Sequence, residues 1–155
     1  MNKQFYLTKE GVDELNVELE QLLARRSPIA ERIKTAREFG DLSENAEYSS
    51  ARQEQEQVEN RITEIEHILQ NVEVIKKPRG DTKVQLGSSV KLKGEGGRAK
   101  EFTVVGTVEA DPLNGKISDE SPIGQAVMGK SEGEKVEIKT NGNGELSSYK
   151  IASIA

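Results

Sequence analysis

The chain has 155 residues, no cysteine and a formal net charge of −5. The lack of cysteine excludes disulfide bonds, thiolate metal sites and thiol catalysis. The acidic balance excludes a general attraction to nucleic acid or to anionic membranes. The first residues lack the apolar core of a signal peptide, and no stretch is long and apolar enough to span a membrane. We therefore expect a cytoplasmic protein without a membrane partner.

Two stretches of the chain repeat apolar residues at alternating spacings of three and four, which is typical of a coiled-coil seam. Paired from the outside inward, the two position numbers of every pair add up to 84. This symmetry predicts an antiparallel helical hairpin over residues 1–75 that turns at Leu42, with its tip at 40–44. Two seam positions are polar, Arg26 opposite Val58 and Gln55 opposite Ile29. The apolar seam residues are Val12, Leu15, Leu19, Leu22, Ile29, Ile33, Ala36, Tyr48, Ala51, Val58, Ile62, Ile65, Leu69 and Val72.

The first helix of this hairpin has recognisable local signals. Thr8 is a suitable N-cap because its hydroxyl can accept a backbone N–H of the first turn. Pro28 lies within the helix and removes one backbone hydrogen bond. Because the seam repeat keeps its phase across Pro28, we expect a kink there and no break.

The periodicity changes from 3.5 to 2 after residues 76–81, which we interpret as a linker because Pro78 and Gly80 interrupt the pattern. Residues 82–155 then predict a small, mostly antiparallel sheet with one short helix, so that the fold class is α+β. The predicted strands are Ser89–Lys93, Phe102–Val108, Lys135–Lys139 and Tyr149–Ile154, and the predicted helix is Ile123–Met128. Hairpin turns are expected at Gly94–Gly97 and Asn141–Gly144.

The predicted tip carries two acids, Asp41 and Glu44, and two interpretations remain open. Carboxylates three residues apart at a helix start can point the same way and provide half of a Mg²⁺ site, to be completed by a partner's acids or by phosphates. Alternatively, Asp41 is the N-cap of the second helix and Glu44 closes a capping box. The first interpretation suits two-metal phosphoryl chemistry.

One flank of the predicted hairpin presents Arg37 and Arg52 without acidic residues opposite them, roughly 10 Å apart along the axis. On the other flank, Arg32 faces Glu54 and can form an ion pair. Residues 25–37 contain five basic residues and one acid. Unpaired arginines at this spacing suit contacts with nucleic-acid phosphates. A solvated charged surface, or pairing within each helix, would explain the same pattern.

Three segments give the chain a family resemblance. Residues 36–48, AREFGDLSENAEY, resemble the tip of the bacterial GreA/GreB transcript cleavage factors. Residues 118–130, SDESPIGQAVMGK, and residues 7–11, LTKEG, resemble the same family. The likeness extends over essentially the whole chain, and the tip motif is the most specific part of it.

The resemblance implies an FKBP-like C-terminal domain that binds bacterial RNA polymerase and a coiled coil that enters the polymerase's secondary channel. Asp41 and Glu44 would then share a Mg²⁺ ion with the polymerase, which cleaves the 3′ end of backtracked nascent RNA. The resemblance also assigns RNA contacts to Arg37 and Arg52. It assigns polymerase docking to Glu120, Ser121 and Pro122. It implies an accessory factor that is not itself an enzyme, binds no cofactor alone and is a monomer.

The sequence has three alternative interpretations. Inhibitors of the Gfh type share the fold and would occupy the channel without stimulating cleavage. An FKBP-like sheet could indicate a prolyl isomerase, but the sheet region has only Phe102 and Tyr149 to line an apolar pocket. A purely structural coiled coil predicts apolar residues at its tip, where this chain has acids.

Overall fold

The computed structural model describes residues 4–41, 44–76, 83–139 and 146–155. Their packing divides them into a helical unit, residues 12–72, and a sheet unit, residues 4–11 together with 73–155. The sequence-based boundaries placed residues 4–11 and 73–75 in the hairpin, whereas they pack with the sheet unit. Leu42 and residues 77–81 of the predicted linker lie outside the described residues.

Two long helices form the helical unit. Helix α1 is Lys9–Arg37 and helix α2 is Ala46–Gln70. Pro28 lies inside α1, and the helix continues through it without a break, as the unbroken seam repeat predicts. No helix in the described part of the chain is long and apolar enough to cross a membrane.

The buried faces of the two helices follow the predicted seam. Leu22, Ile33 and Ala36 of α1 are buried. Residues of both helices that the register places together, among them Ile29 and Val58, line one small cavity. Near the end of α2 the structure adds Ile68 to the buried set and leaves Leu69 half-buried. Both residues share a helix face with Ile65, since steps of three and four stay on one side.

Ion pairs join α1 to α2 beside the seam. The predicted pair between Arg32 and Glu54 is present, and Glu54 also accepts a hydrogen bond from Arg25 at 2.8 Å. Arg26, at a polar position of the seam, turns outward and binds the Glu59 carboxylate through two guanidinium nitrogens at 2.8 and 2.9 Å. Its stem therefore stays near the seam while its charge remains exposed, as expected for a long basic side chain.

Further from the tip, Arg61 of α2 holds Glu18 of α1 through hydrogen bonds of 2.7 and 2.9 Å. These hydrogen bonds lower the pKa of Glu18. A carboxyl with a lower pKa in the folded state stabilises the fold above its unfolded pKa, and this contribution is lost as the pH falls through the folded pKa. Because both side chains are more than a third exposed, the contribution is below about 1 kcal/mol.

This pair gives a prediction for acid unfolding. Glu18→Gln is expected to lower the Tm at pH 7 by a few degrees and to leave the Tm below about pH 3 close to that of the native chain. Melting curves followed by circular dichroism from pH 7 to pH 3 measure this difference. Glu20→Gln is the matched control, because Glu20 is an exposed acid of the same helix. A constant Tm difference across the whole pH range would contradict the prediction.

In its described residues, the sheet unit contains two sheets and one short α-helix. Strands β1 and β2 form a two-stranded sheet, and β3 to β7 form a five-stranded sheet in the order β5-β4-β3-β7-β6. Only β4 and β5 pair in parallel in the larger sheet. The elements are β1 Phe5–Thr8, β2 Val72–Ile75, β3 Ser89–Gly94, β4 Ala99–Val105, β5 Lys116–Ser118, α3 Pro122–Val127, β6 Lys135–Lys139 and β7 Leu146–Ile154.

The α+β fold class and the four predicted strands are confirmed, with shifted ends. The strand predicted over Phe102–Val108 ends at Val105, and Thr107–Glu109 forms a single 3₁₀ turn. Gly106 stands between the strand and this turn, and a Cβ there would lie 2.5 Å from the Tyr6 carbonyl oxygen, so only a glycine allows β1 to come this close. Strands β1, β2 and β5 were not predicted, and the predicted turn at 141–144 lies outside the described residues.

Candidate functional site

The tip of the helical unit begins where α1 ends. The amides of Glu38, Phe39 and Gly40 donate to carbonyls three residues earlier, at 3.2, 3.2 and 3.4 Å. Gly40 then takes a φ of +97°, which a residue with a Cβ rarely adopts. This glycine turns the chain out of the helix axis and leads it directly into Asp41.

Asn45 begins the second helix. Its side-chain oxygen accepts the Tyr48 N–H at 3.0 Å, and its side-chain nitrogen donates to the Ala36 carbonyl oxygen at 2.7 Å. One amide side chain thus caps α2 and ties it to the end of α1. The capping box weighed for Asp41 and Glu44 is not formed, because both acids precede the cap residue of α2.

Asp41 and Glu44 are both exposed. Glu44 has no hydrogen bond or ion pair with the described residues. Carboxylate oxygens are the ligands that Mg²⁺ prefers, and Mg²⁺ is usually held by one or two carboxylates together with waters and phosphates. No group of three or more acids or histidines in the described residues is placed to hold a metal ion. The donor chemistry therefore fits part of a Mg²⁺ site that a partner would have to complete.

Both candidate RNA-contacting arginines are exposed near this tip. The Arg37 guanidinium lies over the Tyr48 ring, 5.9 Å from its centroid. Arg52 donates to the Gln55 side-chain oxygen at 3.1 Å. Neither arginine forms an ion pair with a described carboxylate. Their charges are therefore available to a ligand.

The other arginines near the tip are largely neutralised. Arg25 and Arg32 share Glu54, and Arg26 is bound by Glu59. The basic stretch over residues 25–37 thus offers less free charge than its composition indicates. Arg37 and Arg52 thus differ from these three arginines, whose charges are used in ion pairs between the two helices.

The candidate docking residues form the turn between β5 and α3. The Ser121 hydroxyl accepts the Gly124 N–H at 3.1 Å and donates to the Ser118 carbonyl oxygen at 2.6 Å, so that it caps α3. Pro122 is the first residue of this helix. The exposed Glu120 carboxylate accepts a hydrogen bond from the Thr107 hydroxyl at 3.0 Å. Two of the three residues therefore fix the turn, and Glu120 is presented on it.

A residue that the sequence analysis did not single out, Glu109, anchors the start of α1 within the sheet unit. Its side chain is 4% exposed, and its carboxylate accepts the Thr8 N–H at 2.8 Å and the Thr8 hydroxyl at 2.6 Å. The Thr8 hydroxyl in turn accepts the Gly11 N–H at 3.1 Å, which confirms the predicted N-cap. Gly11 has no Cβ, and one would sit 2.5 Å from this carboxylate.

Comparison with known proteins identifies the family of this chain. A family model described as "Transcription elongation factor, N-terminal" matches residues 5–74, and one described as "Transcription elongation factor, GreA/GreB, C-term" matches residues 79–155. The chain belongs to the GreA/GreB family of transcription elongation factors. The family predicted from the sequence is thereby confirmed, and so is the general function of a transcription elongation factor.

Individual members of the family are similar over most of the chain. The transcription elongation factor GreA of Clostridioides difficile (strain 630) is 49% identical over 141 residues, which cover 89% of each chain. GreA of Bacillus subtilis (strain 168) is 44% identical over 146 residues, which cover 93% of this chain and 92% of that one. The solved structure of the GreA factor homolog 1 protein of Thermus thermophilus matches 99% of each chain at 28% identity, with a TM-score of 0.45.

Proposed function

We propose that this elongation factor binds bacterial RNA polymerase, inserts its helical tip into the secondary channel and stimulates Mg²⁺-dependent cleavage of the 3′ end of backtracked RNA. The observation that carries the proposal is the position of Asp41 and Glu44. Both acids are exposed at the turn of the hairpin and precede the residue that caps α2. The helix cap therefore does not account for their presence.

Asp41 and Glu44 provide only part of a Mg²⁺ site, so in the proposed mechanism the polymerase provides the remaining ligands. Bound Mg²⁺ would stabilise charge on phosphoryl oxygens and lower the pKa of a coordinated water. Asp41 and Glu44 would bring two anionic oxygens to acids that the polymerase provides. In this mechanism the chain is an accessory factor, and the polymerase remains the enzyme.

The two unpaired arginines fit the same role. A single-stranded RNA end carries its charge on its phosphates, which guanidinium groups bind through charge-assisted hydrogen bonds. The contact with the Tyr48 ring orients Arg37 and does not neutralise its positive charge. Arg37 and Arg52 would thus hold the displaced RNA strand beside the acidic tip.

Arg37→Ala and Arg52→Ala are each expected to reduce stimulated cleavage severalfold, because each removes one phosphate contact. Each substitution should also reduce the slope of log activity against log salt by roughly 0.7. Cleavage rates measured from low to high KCl test both effects. Arg25→Ala is the matched control, since Arg25 is an exposed arginine already bound to Glu54. A loss of activity that does not depend on salt would instead assign the two arginines a packing role.

Docking is proposed for the turn that contains Glu120, Ser121 and Pro122. Hydrogen bonds at both ends hold this turn, so that an exposed carboxylate is presented with little freedom. A preorganised surface loses less entropy on binding than a mobile one. The proposed partner surface is therefore basic and lies on the polymerase at the rim of its secondary channel.

The experiment that tests the proposal is RNA cleavage in a halted, backtracked polymerase complex with Mg²⁺ and the full chain. The expected result is rapid shortening of the RNA from its 3′ end, followed by resumed elongation when nucleotides are added. Binding to the polymerase, measured in parallel, distinguishes the outcomes. Binding without stimulated cleavage would contradict the proposal and indicate a Gfh-type inhibitor of the same fold.

A further inference from the structure

The tip of the helical unit exposes a large aromatic side chain. Phe39 is 76% exposed and is the second residue after the end of α1. It is the only large exposed hydrophobic residue in the described part of the chain between residues 24 and 71. Among the described residues, the nearest one before it in sequence is Leu23, which is 39% exposed, and the nearest one after it is Val74, which is 48% exposed. Among the described residues of the hairpin, Phe39 is therefore not part of an apolar patch.

The backbone holds Phe39 in a defined place. Its N–H donates to the Ala36 carbonyl oxygen at 3.2 Å, and the same oxygen accepts the Asn45 side chain at 2.7 Å. Phe39 thus sits on a turn that is tied to both helices, two residues before Asp41. The Phe39 ring is thus open to solvent near the end of the hairpin that the proposed function brings closest to the RNA end.

We propose that Phe39 is a stacking platform for an unpaired nucleobase at the 3′ end of the RNA. The inference rests on the proposed function and adds a binding contact to it. Aromatic side chains stack on bases of any identity, since every base has a π-face. Phe39 would hold the terminal base while Asp41 and Glu44 approach the phosphate to be cleaved.

Electrostatics explains why a neutral aromatic ring suits this place. Glu38, Asp41, Glu44 and Glu47 surround the turn in sequence and are exposed, so they repel RNA phosphates over short distances. Stacking requires no charge and therefore persists where phosphate contacts are weakened. It complements Arg37, whose guanidinium lies on the Tyr48 ring. Cations and aromatic rings together are typical of surfaces that bind single-stranded nucleic acid.

The alternative binding partner for the Phe39 ring is an apolar pocket on the polymerase. The residues around Phe39 disfavour this alternative. Side chains that anchor protein interfaces are usually surrounded by a ring of contacts that excludes water. The described residues within two positions of Phe39 in sequence are exposed and are either charged or, as at Gly40, without a side chain. We therefore assign the ring to a base.

Stimulated cleavage with three Phe39 variants tests the assignment. Phe39→Ala is expected to weaken cleavage by roughly five- to one-hundredfold, because it removes one stacking contact. Phe39→Trp should retain the native activity, whereas Phe39→Leu should behave like Phe39→Ala. Leu23→Ala is the matched control and should be unchanged, because Leu23 is an exposed hydrophobic residue of α1 that lies away from the tip. All variants should retain the native Tm, since the ring is exposed.

Modified RNA provides a second, independent test of the stacking contact. An RNA with an abasic 3′-terminal nucleotide should reduce cleavage by the native chain to the rate seen with Phe39→Ala. A 3′-terminal 2-aminopurine should lose fluorescence on binding the native chain and less so with Phe39→Ala. Full activity of Phe39→Leu together with loss in Phe39→Trp would overturn the inference in favour of a pocket on the polymerase.

Different results would contradict the stacking inference and the proposed function. If the native chain stimulates cleavage and Phe39→Ala stimulates it equally, the stacking inference is wrong while the proposed function stands. If the native chain does not stimulate cleavage at all, the proposed function fails and the stacking inference fails with it.

Discussion

Asp41→Asn and Glu44→Gln are each expected to lower the rate of stimulated RNA cleavage by about a hundredfold or more, with polymerase binding unchanged. Each substitution keeps the size of the side chain and replaces an anionic oxygen by a neutral amide, which is a weak ligand for Mg²⁺. Losses of this size are common when one group that stabilises transition-state charge is removed. Single-turnover cleavage at saturating factor measures the effect, because it separates the chemical step from docking.

Glu38→Gln is the matched control for both variants. Glu38 is an exposed acid of the same tip and lies on the last turn after α1, before the chain leaves the helix at Gly40. Its replacement should leave the cleavage rate within about twofold. Equal losses in Glu38→Gln and in the two tip variants would indicate a general electrostatic effect and no specific metal role.

Gly124→Ala is expected to destabilise the sheet unit by about 3 kcal/mol and to abolish polymerase binding at 37 °C. A Cβ at this position would lie 1.9 Å from the Ser118 carbonyl oxygen and 2.9 Å from the Asp119 Cα. Both atoms belong to the backbone, so relief requires α3 to move away from β5, which costs more than a side-chain rotation. Ser121 would lose its cap contact with the Gly124 N–H in the same movement. Calorimetry and a polymerase-binding assay test the two effects.

Gln125→Ala in the same helix is the control, since Gln125 is exposed. It should change the unfolding free energy by less than about 0.5 kcal/mol and leave binding intact. A Gly124→Ala chain that melts at the native temperature would contradict the close packing of α3 on β5. A chain that is destabilised but binds normally would contradict the docking role proposed for the turn.

The helical seam could be predicted from the sequence because its repeat is long. Many steps of three and four residues fix both the helix faces and the register, so that even the pair between Arg32 and Glu54 follows from numbering. The four longer strands were predicted for the same reason, since alternation over five or more residues is a strong signal. The three residues of β5 are too few to show a period.

The start of α2 shows what a local pattern leaves undecided. Asp41 and Asn45 are both good N-cap residues, and either assignment is consistent with the sequence. Asn45 takes the role because its side chain also reaches the Ala36 carbonyl oxygen of the other helix. This second contact depends on how the two helices meet at the tip, which single-residue preferences do not contain.

The burial of Glu109 also depends on a contact with a residue that is distant in the sequence. In the sequence it is one acid in a polar stretch, where a solvated surface position is the ordinary expectation. Its burial follows from its hydrogen bonds to Thr8, a residue near the other end of the chain. The signal that could have located it is Gly11, because a glycine in the first turn of a helix indicates a close approach by another group.

The measurement that tests the central claim most directly is the Mg²⁺ dependence of RNA cleavage in a backtracked complex. Cleavage rates are recorded across a Mg²⁺ titration with the native chain, with Asp41→Asn and without any factor. If the tip carboxylates complete a Mg²⁺ site, the native chain lowers the half-saturating Mg²⁺ concentration, and Asp41→Asn returns it to the value without factor. The same half-saturating concentration in all three titrations would contradict the proposed role of the tip.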